Sequence, residues 1–269
     1  MNRRWLLAAP ALLLAGPAAA QARALEWRGA PAQGALLVGR AAPGTRLALE
    51  GRAVRVSPEG HFAFGFGRDA GPHATLAITA QGRTEARVLE VARRPWQVQR
   101  LEGLPGAMVT PPPETLERIQ RERARIAELR RVDSTTPHFA AGFVWPARGR
   151  ISGVYGSQRI LNGEARAPHL GLDIAAPTGT PMHAMAAGRV LLAEDLYFTG
   201  NTVILDHGHG VQSLYAHASR LDVAEGAMVA AGQQVALIGA TGRVTGPHLH
   251  LGLNWHATAV DPQPLLPPA

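Results

Sequence analysis

Two histidines one residue apart, His248 and His250 in the segment T-G-R-V-T-G-P-H-L-H-L-G, and an upstream H-L-G-L-D from His169 to Asp173 together supply the residue types of a zinc site. On a strand, residues two apart point to the same face roughly 7 Å apart, so His248 and His250 can look into one cavity. One can bind metal while the other does proton chemistry, and the spacing does not say which. His169 and Asp173 are four apart, roughly 13 Å in a straight strand, too far to share a metal with bonds of about 2 Å. The chain is therefore expected to turn between them, with Gly171 where a turn is easiest. Two His and one carboxylate leave the fourth position of a tetrahedral zinc for water, the arrangement of a catalytic site.

These residues need a scaffold, and the chain of 269 residues is long enough for two domains with a core each. Residues 1–22 read as a signal peptide for export. Arg3 and Arg4 form a basic start, Trp5 to Ala15 an apolar stretch, and small residues follow, with cleavage expected after Ala20 or Ala22. No integral membrane span is expected once this segment is removed. The absence of Cys excludes disulfides, thiolate nucleophiles and thiolate zinc sites, so any zinc must sit on His and carboxylate. All the basic residues are Arg, and the formal charge of +7 suits an anionic cell envelope. No basic stretch interleaved with aromatics argues for nucleic acid.

Residues 23–95 alternate apolar and polar in short runs, the pattern of a small all-β, sandwich-like domain. Leu47 and Leu49 face Val54 and Val56 across Glu50-Gly51 as a hairpin, and Phe62, Phe64 and Phe66 form an inward row. This part carries no clustered set of chemical residues, and His61 and His73 read as exposed bystanders. Residues 96–137 form a linker with Pro111, Pro112 and Pro113, and a helix is expected over about 114–132. Leu116, Ile119, Ile126 and Leu129 give it an apolar stripe, with Glu114–Arg118 and Glu117–Arg121 as i to i+4 pairs. Such a helix packs one face on a neighbouring domain, or covers an active-site groove. Residues 138–269 are β-rich with many glycines. His207 and His209, in D-H-G-H-G, read as a tight turn, and His183 and His256 as structural.

From about Val144 to Pro262 the chain resembles the lysostaphin-type, or LytM-like, zinc metallopeptidases that cut peptide bonds in peptidoglycan. The resemblance rests on H-L-G-L-D-I-A-A-P-T-G-T-P from His169, G-N-T-V-I-L-D-H-G-H-G from Gly200, L-Y-A-H ending at His217, V-A-A-G-Q-Q-V-A-L-I-G-A-T-G from Val229, and G-P-H-L-H ending at His250. It implies a mainly β fold: a LytM-like antiparallel sheet of the duplicated hybrid type, related to biotinyl and lipoyl sheets, behind an N-terminal β domain. It implies His169, Asp173 and His250 as ligands of Zn2+, with His217 and His248 as the two catalytic histidines that do not bind metal. Which of those two is the base is left open. The implied partner is the peptidoglycan stem peptide, cut at a D-alanyl to diaminopimelate cross-link in a periplasm. Alternatives are an exported activator of cell-wall amidases, which in this family accompanies lost ligands, and a zinc peptidase acting on other peptides. A biotin or lipoate carrier is excluded, because the attachment Lys is absent.

Overall fold

Period-two alternation with glycine at the corners builds the molecule, and the computed structural model is accordingly mainly β. It describes residues 25–101, 113–161, 164–165 and 167–268; the expected signal segment, Pro111 and Pro112 lie outside them. No helix among the described residues is long and apolar enough to cross a membrane.

The N-terminal part holds two antiparallel sheets. Strands β1 (Leu25–Arg28), β2 (Leu36–Ala41) and β5 (His61–Gly65) form one, in the order β1-β2-β5. Strands β3 (Arg46–Leu49), β4 (Arg52–Val54), β6 (His73–Ala80) and β7 (Arg83–Glu90) form the other, in the order β4-β3-β6-β7. The β3–β4 hairpin turns at Glu50 and Gly51, both at positive φ, and pairs Leu47 with Val54. Phe62, Phe64 and Phe66 are buried in a row, with ring centroids 5.9 Å apart at each step. His73 is exposed, whereas His61 is half-buried at the start of β5.

Strand β8 (Val98–Leu101), within the segment expected to be a linker, pairs in parallel with β10 (Gln158–Leu161), which pairs with β11 (Glu164–Ala165). Helix α1 (Leu116–Leu129) follows a short 3-10 turn at Pro113–Thr115. Ile119 is buried, and Ile126 and Leu129 pack on Leu192, Leu196, Ile204, Leu214 and Ala216 of the large sheet. Leu116, expected in the same stripe, is 46% exposed. Arg118 pairs not with Glu114 but with Glu122 at 2.6 Å and with Asp195 at 2.9 Å, because the sheet presents Asp195 beside the later turn. Glu122 also accepts the Tyr197 N–H, so the helix is tied to the sheet by polar as well as apolar contacts.

The large ten-stranded sheet positions the chemistry. Its main path runs β17 (Met228–Val229), β14 (Gly188–Leu196), β15 (Gly200–Asp206), β16 (Val211–Leu221), β19 (His248–Trp255), β12 (Leu172–Ala175) and β9 (Arg150–Gly153). Off this path, β18 (Gln234–Ile238) joins β16 and β13 (Pro181–His183), and β20 (Thr258–Val260) joins β19. Leu249, Leu251 and Leu253 of β19 are fully buried, which turns His248, His250, Gly252 and Asn254 to the opposite face.

One hydrophobic core runs through the N-terminal sheets and the large sheet. Gly65 lies so near Val260 that a Cβ would stand 2.7 Å from its Cγ1. Around this contact, Asp261 pairs with Arg94 at 2.8 Å, its N–H donates to the Gly34 carbonyl, and the Tyr155 hydroxyl donates to the Ala259 carbonyl.

Candidate active site

Strand register brings the site together. In the β12–β19 pairing Asp173 stands directly opposite His250, and Ala175 opposite His248. On the other side of β19, His250 stands opposite Ala216 of β16, one residue before His217. His169 precedes β12. Its backbone bonds with Ser157 and Gly156 hold it, and the chain bends at Gly171, so the residue four positions before Asp173 returns to face it.

Three ligand atoms converge. His169 Nε2 lies 2.9 Å from Asp173 Oδ1 and 2.9 Å from His250 Nδ1, and His250 Nδ1 lies 2.8 Å from the same carboxylate oxygen. His169 Nδ1 lies 3.0 Å from the Val154 carbonyl, an acceptor only, so this nitrogen carries the proton and Nε2 carries a lone pair. Two lone-pair atoms at that distance with no proton between them repel unless a cation joins them. A second proton on His169 or a metal ion meets that need, and a metal with bonds of about 2 Å reaches all three atoms. The donor set of two imidazoles and one carboxylate, with the carbonyl fixing the His169 tautomer, fits zinc. His169 and Asp173 are only 4% and 6% exposed. Burial alone would raise the Asp173 carboxyl, but the two imidazoles of His169 and His250 against it favour the anion more strongly and hold the group well below the usual range.

His217 and His248 stand beside this triangle, their ring centroids 4.8 Å apart, with His217 6.2 Å from the His250 ring. Each directs Nδ1 at a backbone carbonyl: His217 at Thr241 O, 2.9 Å, and His248 at Gly246 O, 2.9 Å. Both therefore carry a proton on Nδ1, and in the neutral ring Nε2 is the atom left with the lone pair. Burial pulls His217 down to about 4, so it is neutral at pH 7. His217 also sits at φ 66°, a left-handed conformation rare for a side chain of this size, held by its N–H donating to Thr199 O.

Two glycines complete the site. Gly171 does not use a left-handed φ; a Cβ there would stand 2.5 Å from His250 Cε1 and 2.7 Å from Nε2. A Cβ at Gly153 would stand 2.3 Å from Asp173 Oδ2. The sequence pointed to Gly171 only as a bend, and Gly153 carried no signal, since close approach across strands is not a local property.

His207 and His209 play no part here. His207 is fully buried, bonded to Ala187 O and Ser213 Oγ, and burial lowers it to about 4. His209, in the turn at φ 51°, meets Thr135 O. His256 is buried against Gly210, and His183 is half-buried in β13.

A groove of about 860 Å3 opens beside His250, between α1 and the β3–β4 hairpin. Leu214, Gly252 and Asn254 line it from the sheet, Ile126 and Arg130 from the helix side, and Arg52 from the hairpin.

The model of peptidase family M23 matches residues 167–262. A crystal structure from Pseudomonas aeruginosa assigned to peptidase M23 is 30% identical, covers 87% of this chain and 94% of its own, and superposes with a TM-score of 0.68. The peptidoglycan DD-endopeptidase ShyA of Vibrio cholerae is 40% identical over 108 residues, 40% of this chain and 25% of ShyA. The murein hydrolase activator EnvC of Escherichia coli is 41% identical over 122 residues, 45% of this chain and 28% of EnvC. The chain thus spans about a quarter of the length of these curated relatives.

Proposed function

The chain belongs to peptidase family M23, and from that premise we propose that it is a zinc-dependent endopeptidase hydrolysing peptide cross-links of bacterial peptidoglycan. His169, Asp173 and His250 hold the metal, and His217 and His248 carry the proton chemistry. The observation that supports this best is the triangle of three ligand-type atoms 2.8–2.9 Å apart with two further imidazoles beside it. EnvC is named a murein hydrolase activator, and a protein that only activates has no use for a complete ligand set.

When bound, zinc supplies Lewis acidity, which brings the pKa of water toward neutrality and polarises a peptide carbonyl. His217 Nε2, neutral and held by Thr241, accepts a proton from the attacking water. The proton taken up at His217 Nε2 is the one returned to the leaving amine as the C–N bond breaks, relayed through the Nε2 of His248, whose ring lies beside that of His217 and whose side chain is 18% exposed. The fixed tautomers orient both rings without reorganisation during the reaction.

The named DD-endopeptidase relative supports a D-alanyl to diaminopimelate bond as the target. In this reading residues 1–22 direct export to the periplasm with cleavage after Ala20 or Ala22, residues 23–95 form an accessory β domain, residues 96–137 connect, and residues 138–269 form the catalytic domain.

The test is mass spectrometry of muropeptides released from purified sacculi by zinc-loaded and chelator-treated protein in parallel. Zinc-dependent loss of cross-linked dimers with matching gain of monomers is expected, and casein stays intact. Intact dimers with protein shown to carry zinc overturn the reading.

A further inference from the structure

The groove beside His250 ends in a cation that no carboxylate neutralises among the described residues. Three arginines, Arg52, Arg130 and Arg131, line it against one aspartate, Asp133. Arg131 pairs with Glu128 at 3.1 Å, and Asp133 with Arg55 at 2.8 Å. Arg52 lies over the Trp255 ring. Arg130 is half-buried, just past the last turn of α1, and among the described residues no carboxylate pairs with it. Among the described residues its side chain makes one bond, giving Nη1–H to Gln212 Oε1 at 2.9 Å. A guanidinium carries five N–H donors, so the rest of this fork remains for another acceptor.

Gln212 fixes where the fork points. It is fully buried, and its Nε2 donates to the Leu129 carbonyl at 2.7 Å, so the amide cannot flip and Oε1 must face Arg130. Gln212 stands opposite Asn254 in the β16–β19 register, and Ala216 opposite His250. Arg130 is thus anchored four residues along the sheet from the metal-ligand row, roughly 13 Å by strand rise. Between the two lie Leu214 and Gly252, an apolar pair directly opposite each other. An extended peptide with its scissile bond at the histidines covers that floor in three or four residues.

We propose that Arg130, oriented by Gln212, is the carboxylate receptor of the substrate groove, binding an acidic group carried three or four residues from the scissile bond. The inference rests on the endopeptidase reading for the nature of the ligand, a peptide with free carboxylates. An uncompensated, half-desolvated guanidinium in a fixed orientation is costly to maintain as a structural clamp alone, because a neutral side chain would bond Gln212 equally well. Such a fork suits bidentate recognition of a carboxylate.

The experiment uses the zinc-loaded full chain with two probes: a cross-linked stem-peptide dimer with free carboxylates, and the same dimer with its carboxylates amidated. Wild type is expected to show a KM about tenfold lower for the free-carboxylate dimer, the scale of one charge-assisted hydrogen bond. Arg130→Gln raises that KM to the amidated value at unchanged kcat, and Arg130→Lys recovers part of the difference. Equal KM values for the two dimers in wild type, or a preference that survives in Arg130→Gln, overturn the proposal. Absence of cleavage for both dimers counts against the endopeptidase reading alone. Calorimetric binding of the same dimers then decides: tighter binding of the free-carboxylate form by wild type but not by Arg130→Gln upholds the receptor, and equal or absent binding overturns it.

Discussion

Gly171 lies against the imidazole of His250, so close that a Cβ would stand 2.5 Å from Cε1 and 2.7 Å from Nε2. The ring that brings Nδ1 to the triangle with His169 and Asp173 occupies the space a side chain would take. Gly171→Ala is expected to push the ring out of register and weaken zinc binding about 10- to 100-fold, the range for lost support of a ligand. The Cβ would also stand 2.7 Å from the Leu251 carbonyl oxygen, so the backbone must shift locally as well, and circular dichroism of the variant checks that the fold survives. Competition against a chromophoric chelator measures the affinity, and wild-type zinc binding in the variant would refute the argument.

The ligand triangle and the flanking histidines separate by metal content. His169→Ala, Asp173→Ala and His250→Ala each remove one corner, and the purified variants are expected to lose zinc. His217→Ala and His248→Ala are expected to keep zinc and lose hydrolysis by a factor of at least about 100. Metal analysis of all five variants checks the division; a His217 variant without zinc beside a His250 variant with zinc would reverse it.

Acid should weaken the fold through His207. Burial lowers it from about 6.5 in the unfolded chain to about 4 in the folded protein. Between those values the unfolded chain binds the proton and the folded chain does not, so stability is intact above about pH 6.5 and declines as pH falls toward 4. The loss at pH 4 is on the order of 3 kcal/mol from this group. Urea midpoints of metal-free protein at pH 7.5 and 5 read the slope, and His207→Gln should flatten it. An unchanged slope in the variant would place the acid sensitivity elsewhere.

Helix α1 should loosen without Glu122. That carboxylate accepts from Arg118 on one oxygen and from the Tyr197 N–H on the other. Glu122→Ala leaves the N–H unsatisfied and leaves Arg118 with Asp195 alone, an expected cost of about 1–2 kcal/mol. Hydrogen exchange in Leu116–Leu129 should then accelerate while β19 keeps its protection, and uniform acceleration in both would contradict a local role.

Much of the site was readable from residue types, spacing and the family resemblance. The His-x-His spacing on a strand and the need for a bend before Asp173 follow from strand rise, and both residues of the pair do lie on one face of β19. The resemblance named His169, Asp173 and His250 as ligands, and their donor atoms meet. Strand lengths were less legible. β16 runs on to Leu221 past His217, because the positive φ there and a register shift near Ala218 break the alternation without ending the pairing. The charge pattern of α1 was legible as helical, but Arg118 took partners that only packing could offer.

By itself, the sequence determined the β character, the hairpin at Glu50-Gly51, the amphipathic helix and the inventory of metal-binding side chains, since these depend on periodicity and on atoms within a few residues of one another. Only the tertiary structure decided that Gly153 and Gly171 clear space for Asp173 and His250, that α1 and the β3–β4 hairpin wall the groove, and that Gln212 aims Arg130 along it. Gln212 and Arg130 stand 82 positions apart in the chain, and Gly171 and His250 meet across neighbouring strands. Such contacts arise from register and packing, which close only when the whole sheet has formed.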